Sequence, residues 1–403
     1  MPTRISPTPL SLSGLSLALV VALLSTPALA QTRYGTGAPA AVSAGAFATT
    51  VVFEGGEIFV GRPGEFAFFS IPANHAGTVH IFGLDGSGNW EETAVLSAES
   101  VEIGDGFGMS LAVEGNTLLA GAPKTSGGRG AVYVFRRSDA DGAWRAVATL
   151  RSGTRREGDE FGAAVAIEGD FAVIGSPGRM QDTGAVVVFR LLAGAWTEAA
   201  TVEGSATSPD ERFGSSLAVD GNRLLVGAPG PIQPPPPGRS SSAWDGSAYV
   251  FDLERGQFVE SARLTSGPDG SARFGYAVVL NGNEAFLGAP FGNQSSGVAH
   301  HFVVDGSGAW IQRARITAAT AAPVSGFGMS LSYAAGDLWV GAPFGGGAYV
   351  FRCSEGGEWQ EAQILTIGGP NSYMGVSVAA SEDLAIVGSP GADFFEGLGS
   401  VYR

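Results

Sequence analysis

One cysteine, one lysine, four histidines and no long apolar run after residue 30 set the first limits on this chain of 403 residues. With Cys353 alone no internal disulfide can form, so stability has to come from packing and sheet pairing. Cys353 itself reads as a small apolar residue at a strand end. Lys124 is the only lysine among 23 basic residues, against 38 acidic ones, and the formal net charge is −15. So acidic a surface argues against nucleic acid or an anionic membrane as partner. Catalytic signatures are missing as well: there is no His-Glu-x-x-His, Gly-x-Ser-x-Gly, Cys-x-x-Cys or P-loop. Gly106-Phe-Gly108 and Gly326-Phe-Gly328 lack the third glycine and the helix that a dinucleotide fingerprint requires.

The histidines are His75, His80, His300 and His301. His300 and His301 are adjacent on a strand, so their rings point to opposite faces and cannot chelate one ion. They read as satisfied strand histidines, and no metal site is assigned. Asp and Glu gather in turns and in solvent-facing strands, as at Glu91-Glu92 and Glu358, where solvation accounts for them. The expectation is a protein without catalytic activity or cofactor.

What is abundant is glycine, with 62 residues, alongside 22 prolines and a hydrophobic fraction of 44%. That mixture suits many short strands joined by tight turns over a sizeable core. At the start, Arg4 precedes the apolar run Leu15 to Leu24 and then Ala28-Leu29-Ala30. A charged start, a run too short to span a bilayer and a small-x-small site read as a secretory signal peptide over residues 1–30. The mature chain is expected to be exported, either secreted or at the cell surface, with the periplasm as an alternative. It is not expected to span a membrane.

The fragment FGMSL occurs twice, at Phe107 to Leu111 and at Phe327 to Leu331. It belongs to a longer repeat. Phe-Gly recurs as Phe107-Gly108, Phe161-Gly162, Phe213-Gly214, Phe274-Gly275 and Phe327-Gly328, with degenerate copies at Phe47-Ala48 and Met374-Gly375. A Gly-x-Pro follows each, from Gly61-Arg-Pro63 to Gly388-Ser-Pro390. A third segment such as GAVYVF (130–135) and a fourth opening on Trp or Phe, such as WRAVATL from Trp144, complete the unit. Gly-Asn or Gly-Asp pairs between the first two segments, as at Glu114-Gly-Asn-Thr117, mark two-residue hairpins. Four short strands per unit of roughly fifty residues is the pattern of a propeller blade. The fold expected is all-β, a seven-bladed β-propeller over residues 47–403.

Phe-Gly, Gly-Ala-Pro and Gly-Ala-Val-Tyr-Val-Phe resemble the FG-GAP repeat of integrin α-subunit propellers and of exported bacterial proteins. The resemblance runs from about Phe47 to Arg403. It implies a propeller with a binding role at the cell surface or outside the cell. The calcium loop Asp-x-Asp-x-Asp-Gly of integrin-type repeats is absent, and the hairpins at Glu114, Glu168 and Asp220 are too short to supply six oxygens. The acidic turn at Asp139 and Asp141 reads as a turn.

The seventh unit stops after its third segment, GSVYR (399–403). An open edge invites aggregation, so residues 31–46, and within them Ala40 to Ala44, are expected to supply its outer strand. The Phe-Gly pairs are structural anchors, and function is expected in loops that differ between units. The connection after strand two is aromatic in unit one, with Phe66, Phe68, Phe69 and His75. In unit four it carries a polyproline run, Arg239 and Trp244. Phe291, Asn293 and Phe344 fall on the same connections of later units. These nine residues are the candidates for binding an extracellular protein or glycan, as in adhesion, by a monomer. An enzyme with a site at the channel mouth and a purely structural matrix component remain the alternatives.

Overall fold

The structure is a computed structural model and describes residues 17–22, 31–36, 47–64, 75–231, 242–267, 272–319, 324–366, 372–390 and 398–402. Two short strands come first, β1 (Leu17–Ala22) and β2 (Gln31–Thr36). The first blade is β3 (Thr50–Glu54), β4 (Glu57–Arg62), β5 (Thr78–Leu84) and β6 (Trp90–Leu96). The second is β7 (Ser110–Glu114), β8 (Thr117–Ala122), β9 (Ala131–Arg137) and β10 (Trp144–Leu150). The third is β11 (Ala164–Glu168), β12 (Phe171–Ser176), β13 (Ala185–Leu192) and β14 (Ala195–Val202). The fourth is β15 (Ser216–Asp220), β16 (Arg223–Ala228), β17 (Ser247–Glu254) and β18 (Gln257–Leu264). The fifth is β19 (Val278–Asn281), β20 (Glu284–Ala289), β21 (Val298–Val304) and β22 (Trp310–Ile316). The sixth is β23 (Ser330–Ala334), β24 (Asp337–Ala342), β25 (Gly347–Cys353) and β26 (Trp359–Thr366). Each is a four-stranded antiparallel meander in sequence order, and the fold is a β-propeller of such blades.

The blade count corrects the expectation: six four-stranded blades form, not seven. The seventh repeat supplies three strands, β27 (Val378–Ala380), β28 (Ala385–Ser389) and β29 (Leu398–Tyr402), in a five-stranded sheet with β1 and β2. The expected closing strand at 40–44 lies outside the described residues. The chain beside β29 is β1 instead, from the run read as a leader, and it pairs parallel at only Leu19↔Gly399 and Val20↔Ser400. An antiparallel fourth strand is what completes a blade, and a short parallel pair does not. The free edge of β29 accepts the apolar Leu-Ala-Leu-Val-Val-Ala because unpaired strand groups bond whatever extended chain reaches them.

By internal contacts the chain forms two compact units. One holds Ser110–Thr317 and Ala321–Gly328 and therefore blades two to five; the other holds Met1–Met109, Ala318–Thr320 and Met329–Arg403. In the first unit, Phe161, Phe213, Phe274 and Phe327 are fully buried. Each bridges in parallel to the glycine that opens the preceding third strand: Gly130, Gly184, Gly246 and Gly297. Phe213 sets its ring edge-on to Tyr249 at 5.3 Å and Phe251 at 6.0 Å. Gly162 and Gly214 hold φ of 94° and 89°, which only glycine adopts readily. A side chain at Gly162 would also meet the Ala131 carbonyl oxygen at 2.8 Å.

In the second unit the same frame recurs. Phe107 is fully buried, and so is Phe47 of the degenerate pair Phe47-Ala48. Ser377 Oγ donates to the Ala48 carbonyl at 2.9 Å, so the last repeat is stitched to the first. Phe47, Val51 and Ile58 share a core with Leu384 and Ile386. The stitch recurs where a serine heads strand one, its hydroxyl donating to the next repeat's anchor, as in Ser110 to Gly162 O (2.7 Å), Ser216 to Gly275 O (2.8 Å) and Ser330 to Gly375 O (2.7 Å).

The hairpins form as read, with Glu114↔Thr117, Glu168↔Phe171, Asp220↔Arg223 and Asn281↔Glu284 closing two-residue turns. Positive φ sits at Gly115, Gly169, Gly221 and Gly282. The carboxylates of these turns do more than meet water. Glu114 accepts the Gly169 amide at 2.8 Å, and Asp220 accepts that of Gly282. Some fourth-strand acids behave likewise: Glu198 accepts from Gly153 N (2.9 Å), Glu260 from Ser205 N (2.7 Å) and Glu361 from Ala319 N (3.1 Å), while Glu91 and Glu358 are exposed. Glu92 instead meets His80 Nδ1 at 2.5 Å.

His300 packs against Phe274 and His301 stacks on Phe286 at 4.6 Å, so the neighbouring rings do face opposite ways. Burial lowers the His300 pKa to about 4. The folded protein thus keeps His300 neutral where the unfolded chain protonates it. The His300 contribution to stability is full above pH 6.5 and is lost as pH drops from 6.5 towards 4, by about 3 kcal/mol. Urea titrations across this range are expected to show that loss, and His300→Gln to make it shallower, with His75 and His301, also lowered by burial, supplying the remainder. An unchanged slope in the variant would place the proton uptake elsewhere.

Candidate functional site

Within a blade, the connection from strand two to three and the one leaving strand four emerge at the same end. In the four-blade unit these connections run as paired backbones. Glu160 N donates to Gly128 O, Arg212 N to Asp182 O and Arg273 N to Trp244 O, each at 2.7 Å. The residue before Phe-Gly therefore occupies one repeated place, bonded to one repeated residue of the preceding connection. Four-residue turns, Thr125–Gly128, Arg179–Asp182, Ser242–Asp245 and Gly292–Ser295, shape those connections, the first two with left-handed backbone at Ser126, Gly127, Met180 and Gln181, and they are too short to leave a helical period in the sequence.

This place demands left-handed backbone. φ is 56° at Glu160, 56° at Arg212 and 64° at Arg273, while other repeats put Gly106 (71°) and Gly326 (72°) there. A non-glycine residue in that region costs about 1–2 kcal/mol. Three consecutive repeats put a charged side chain there, and the last repeat puts Tyr373 there at φ 50°; strain of this kind gathers at functional sites.

The two arginines differ in what surrounds them. Arg212 forks onto Asp182 and Glu160, one carboxylate on each Nη. Arg273 sits in the same frame with Trp244 in place of Asp182 and Arg212 in place of Glu160. It is 7% exposed, and its Nε is enclosed without a hydrogen-bond partner. No carboxylate among the described residues pairs with it. Aromatic rings take over: its Cζ lies 4.9 Å from the Tyr276 ring centre and 5.9 Å from that of Trp244. Burial pushes the guanidinium pKa below its ordinary value. Trp244 is half-buried and lies 5.9 Å from Phe291, with the rings tilted by 35°.

A second feature lies on the connections of blades two and three. Arg129, Gly153, Arg155, Arg156 and Glu157 line a cleft of about 530 Å³. Arg129 pairs with Glu157 at 2.9 Å, and Arg155 donates to the Ser152 carbonyl at 3.1 Å. In the acidic turn between β9 and β10, Arg145 holds Asp141 at 2.5 Å, while Asn116 donates to Asp139 at 3.3 Å. Among the described residues no three His, Cys, Asp or Glu side chains gather as a metal site, and no helix is long and apolar enough to cross a membrane.

Of the nine residues singled out in the sequence, the structure brings Trp244 and Phe291 together. Asn293 is exposed beside them, in left-handed backbone at φ 47°. His75 turns inward: its Nδ1 accepts the Gly77 amide at 3.0 Å, and burial lowers its pKa to about 4. Phe344 is half-buried in a 3₁₀ turn, Pro343–Gly345, of the other unit. Phe66, Phe68, Phe69 and Arg239 lie outside the described residues. Sequence reading passed over Arg273 and Arg212. The available signal was the residue before Phe-Gly, which varies from Gly106 to Glu160, Arg212, Arg273 and Gly326 inside a constant frame.

A family model described as FG-GAP repeat matches residues 90–135, 144–189 and 196–251. No curated protein matches the chain. Among solved structures, a presumed 6-phosphogluconolactonase of Bacteroides fragilis is similar with a TM-score of 0.57 and 14% identity, covering 90% of this chain and 97% of its own. A protein of the same description from Bacteroides uniformis gives 0.56 and 12%, covering 88% and 98%. A Lactobacillus plantarum protein gives 0.54 and 16%, covering 86% and 98%. At these identities the likeness shows a shared fold.

Proposed function

The chain carries FG-GAP repeats on a β-propeller fold, and from that premise we propose that it is an exported, non-catalytic recognition module for an extracellular protein or glycan. The observation that carries this reading is the aromatic pair Trp244–Phe291, contributed by consecutive strand-two-to-three connections, with the Trp244 ring 5.9 Å from the Arg273 guanidinium. Half-exposed Trp beside Arg, held on rigid blades, is the composition of an interface anchor. The leader-like residues 1–30 support export. The enzyme alternative has behind it only the names of two fold neighbours, at 14% and 12% identity.

The test is capture of ligands by the purified chain on arrays of extracellular proteins and glycans. Trp244→Ala is expected to weaken capture at least about tenfold, as loss of a central aromatic anchor does. Capture unchanged by Trp244→Ala would remove this face from the account.

A further inference from the structure

Arg212 and Arg273 are the same position in consecutive repeats, with the same left-handed backbone and the same amide bond to the preceding connection. That makes one a template for the other. Around Arg212 the fork is filled twice, by Asp182 from the preceding connection and by Glu160 from the preceding repeat's own left-handed position. Around Arg273 both acids are replaced, the first by Trp244 and the second by Arg212 itself, which is already engaged. A guanidinium enclosed this far is ordinarily paired, because desolvating an unpaired charge is unfavourable. Arg273 instead keeps a sealed Nε with no partner, between Tyr276 and Trp244. Among the described residues no carboxylate supplies the missing charge, and burial holds Asp245, next in sequence to Trp244, above its ordinary pKa.

The geometry points to a carboxylate-binding site at Arg273 that takes the side chain of an aspartate or glutamate from a protein partner, with Trp244 and Phe291 as its apolar wall. The acidic side chain is favoured as occupant because the sister fork is filled by those two residue types in the same frame. A planar guanidinium matches a carboxylate in a two-point contact that a lysine cannot reproduce. This inference rests on the recognition reading above and names the chemistry of that site.

The probe is acetyl-Gly-Gly-Asp-Gly-Gly-amide, titrated calorimetrically against the full chain, with the Asn peptide and digalacturonate as parallel arms. The Asp peptide is expected to bind with Kd of about 1–10 mM, and the Asn peptide at least about tenfold more weakly. Arg273→Gln is expected to lose the Asp peptide by about tenfold or more. Trp244→Asp restores the acid that the template carries, so it should abolish peptide binding while melting no lower than wild type; this keeps the test decisive if Arg273→Gln does not fold. Equal binding of the Asp and Asn peptides, no binding of the Asp peptide, or its full retention in a folded Trp244→Asp would overturn the assignment. Digalacturonate binding more tightly than the peptide through Arg273 would overturn the protein partner in favour of an acidic glycan. If the carboxylate assignment fails while Trp244→Ala still weakens capture of an array ligand, the recognition reading stands without it. If neither variant alters capture, both fall.

Discussion

Phe213→Ala is expected to destabilise the four-blade unit by about 3–5 kcal/mol. Phe213 is fully buried and lies edge-on to Tyr249 and Phe251, in a cluster that includes Val173, Val188, Leu224 and Val226. Those residues come from two successive blades, so the ring joins sheets rather than filling one. Backbone fixes it too, since Phe213 N donates to Thr183 O at 2.9 Å and the residue bridges to Gly184. Collapse into the hole is therefore restricted, which puts the cost at the upper part of the large-to-small range. Urea unfolding at constant m-value measures it. Leu192→Ala, at an exposed strand end, is the control and should shift stability by less than about 0.5 kcal/mol. A loss below about 1 kcal/mol for Phe213→Ala would contradict the anchor role, because a ring of this size cannot leave a packed core so cheaply.

Gly184→Ala is expected to cost about as much, some 3–5 kcal/mol, from two sources that add. Its φ is 86°, and an added Cβ would lie inside van der Waals contact of the Phe213 backbone, with the carbonyl carbon at 2.8 Å. Neither side can give way, because the obstacle is main chain. Gly169→Ala separates the two sources. Gly169 also holds positive φ, 55°, but has nothing within 4 Å of the new Cβ, so backbone strain alone should cost about 1–2 kcal/mol. Equal losses for the two variants would show that conformation, not close approach, keeps glycine at the anchor.

The repeat made most of the fold legible. Phe-Gly, the Gly-Asn hairpins and Gly-x-Pro are local signals, and each recurs often enough to fix strand boundaries and blade order before any coordinate. Long-range pairing was not legible. The stitch from Ser110 to Gly162 and the clamp of Glu198 on Gly153 join residues roughly a repeat apart, and the serines and glutamates look like ordinary strand and turn residues. The bulges that shift register between third and fourth strands, as at Val188/Phe189 and Val250/Phe251, leave no composition signal either. The last sheet was misjudged for a related reason. Which chain covers the edge of β29 depends on what reaches it in space, and sequence adjacency pointed to 40–44 rather than to Leu17–Ala22. Of the candidate site, Trp244 and Phe291 were visible as unusual loop residues, whereas Arg273 differs in sequence from its repeat neighbours without showing that it is buried while Arg212 is paired.

Amide hydrogen exchange of the chain with and without a ligand captured on the arrays tests the recognition site most directly. Opening of short loop segments is slowed where a partner covers them. The account predicts added protection at residues 244–247, 272–277 and 290–293, lost in Trp244→Ala. Protection confined to the opposite hairpin ends, around Gly115, Gly169 and Gly221, would contradict it.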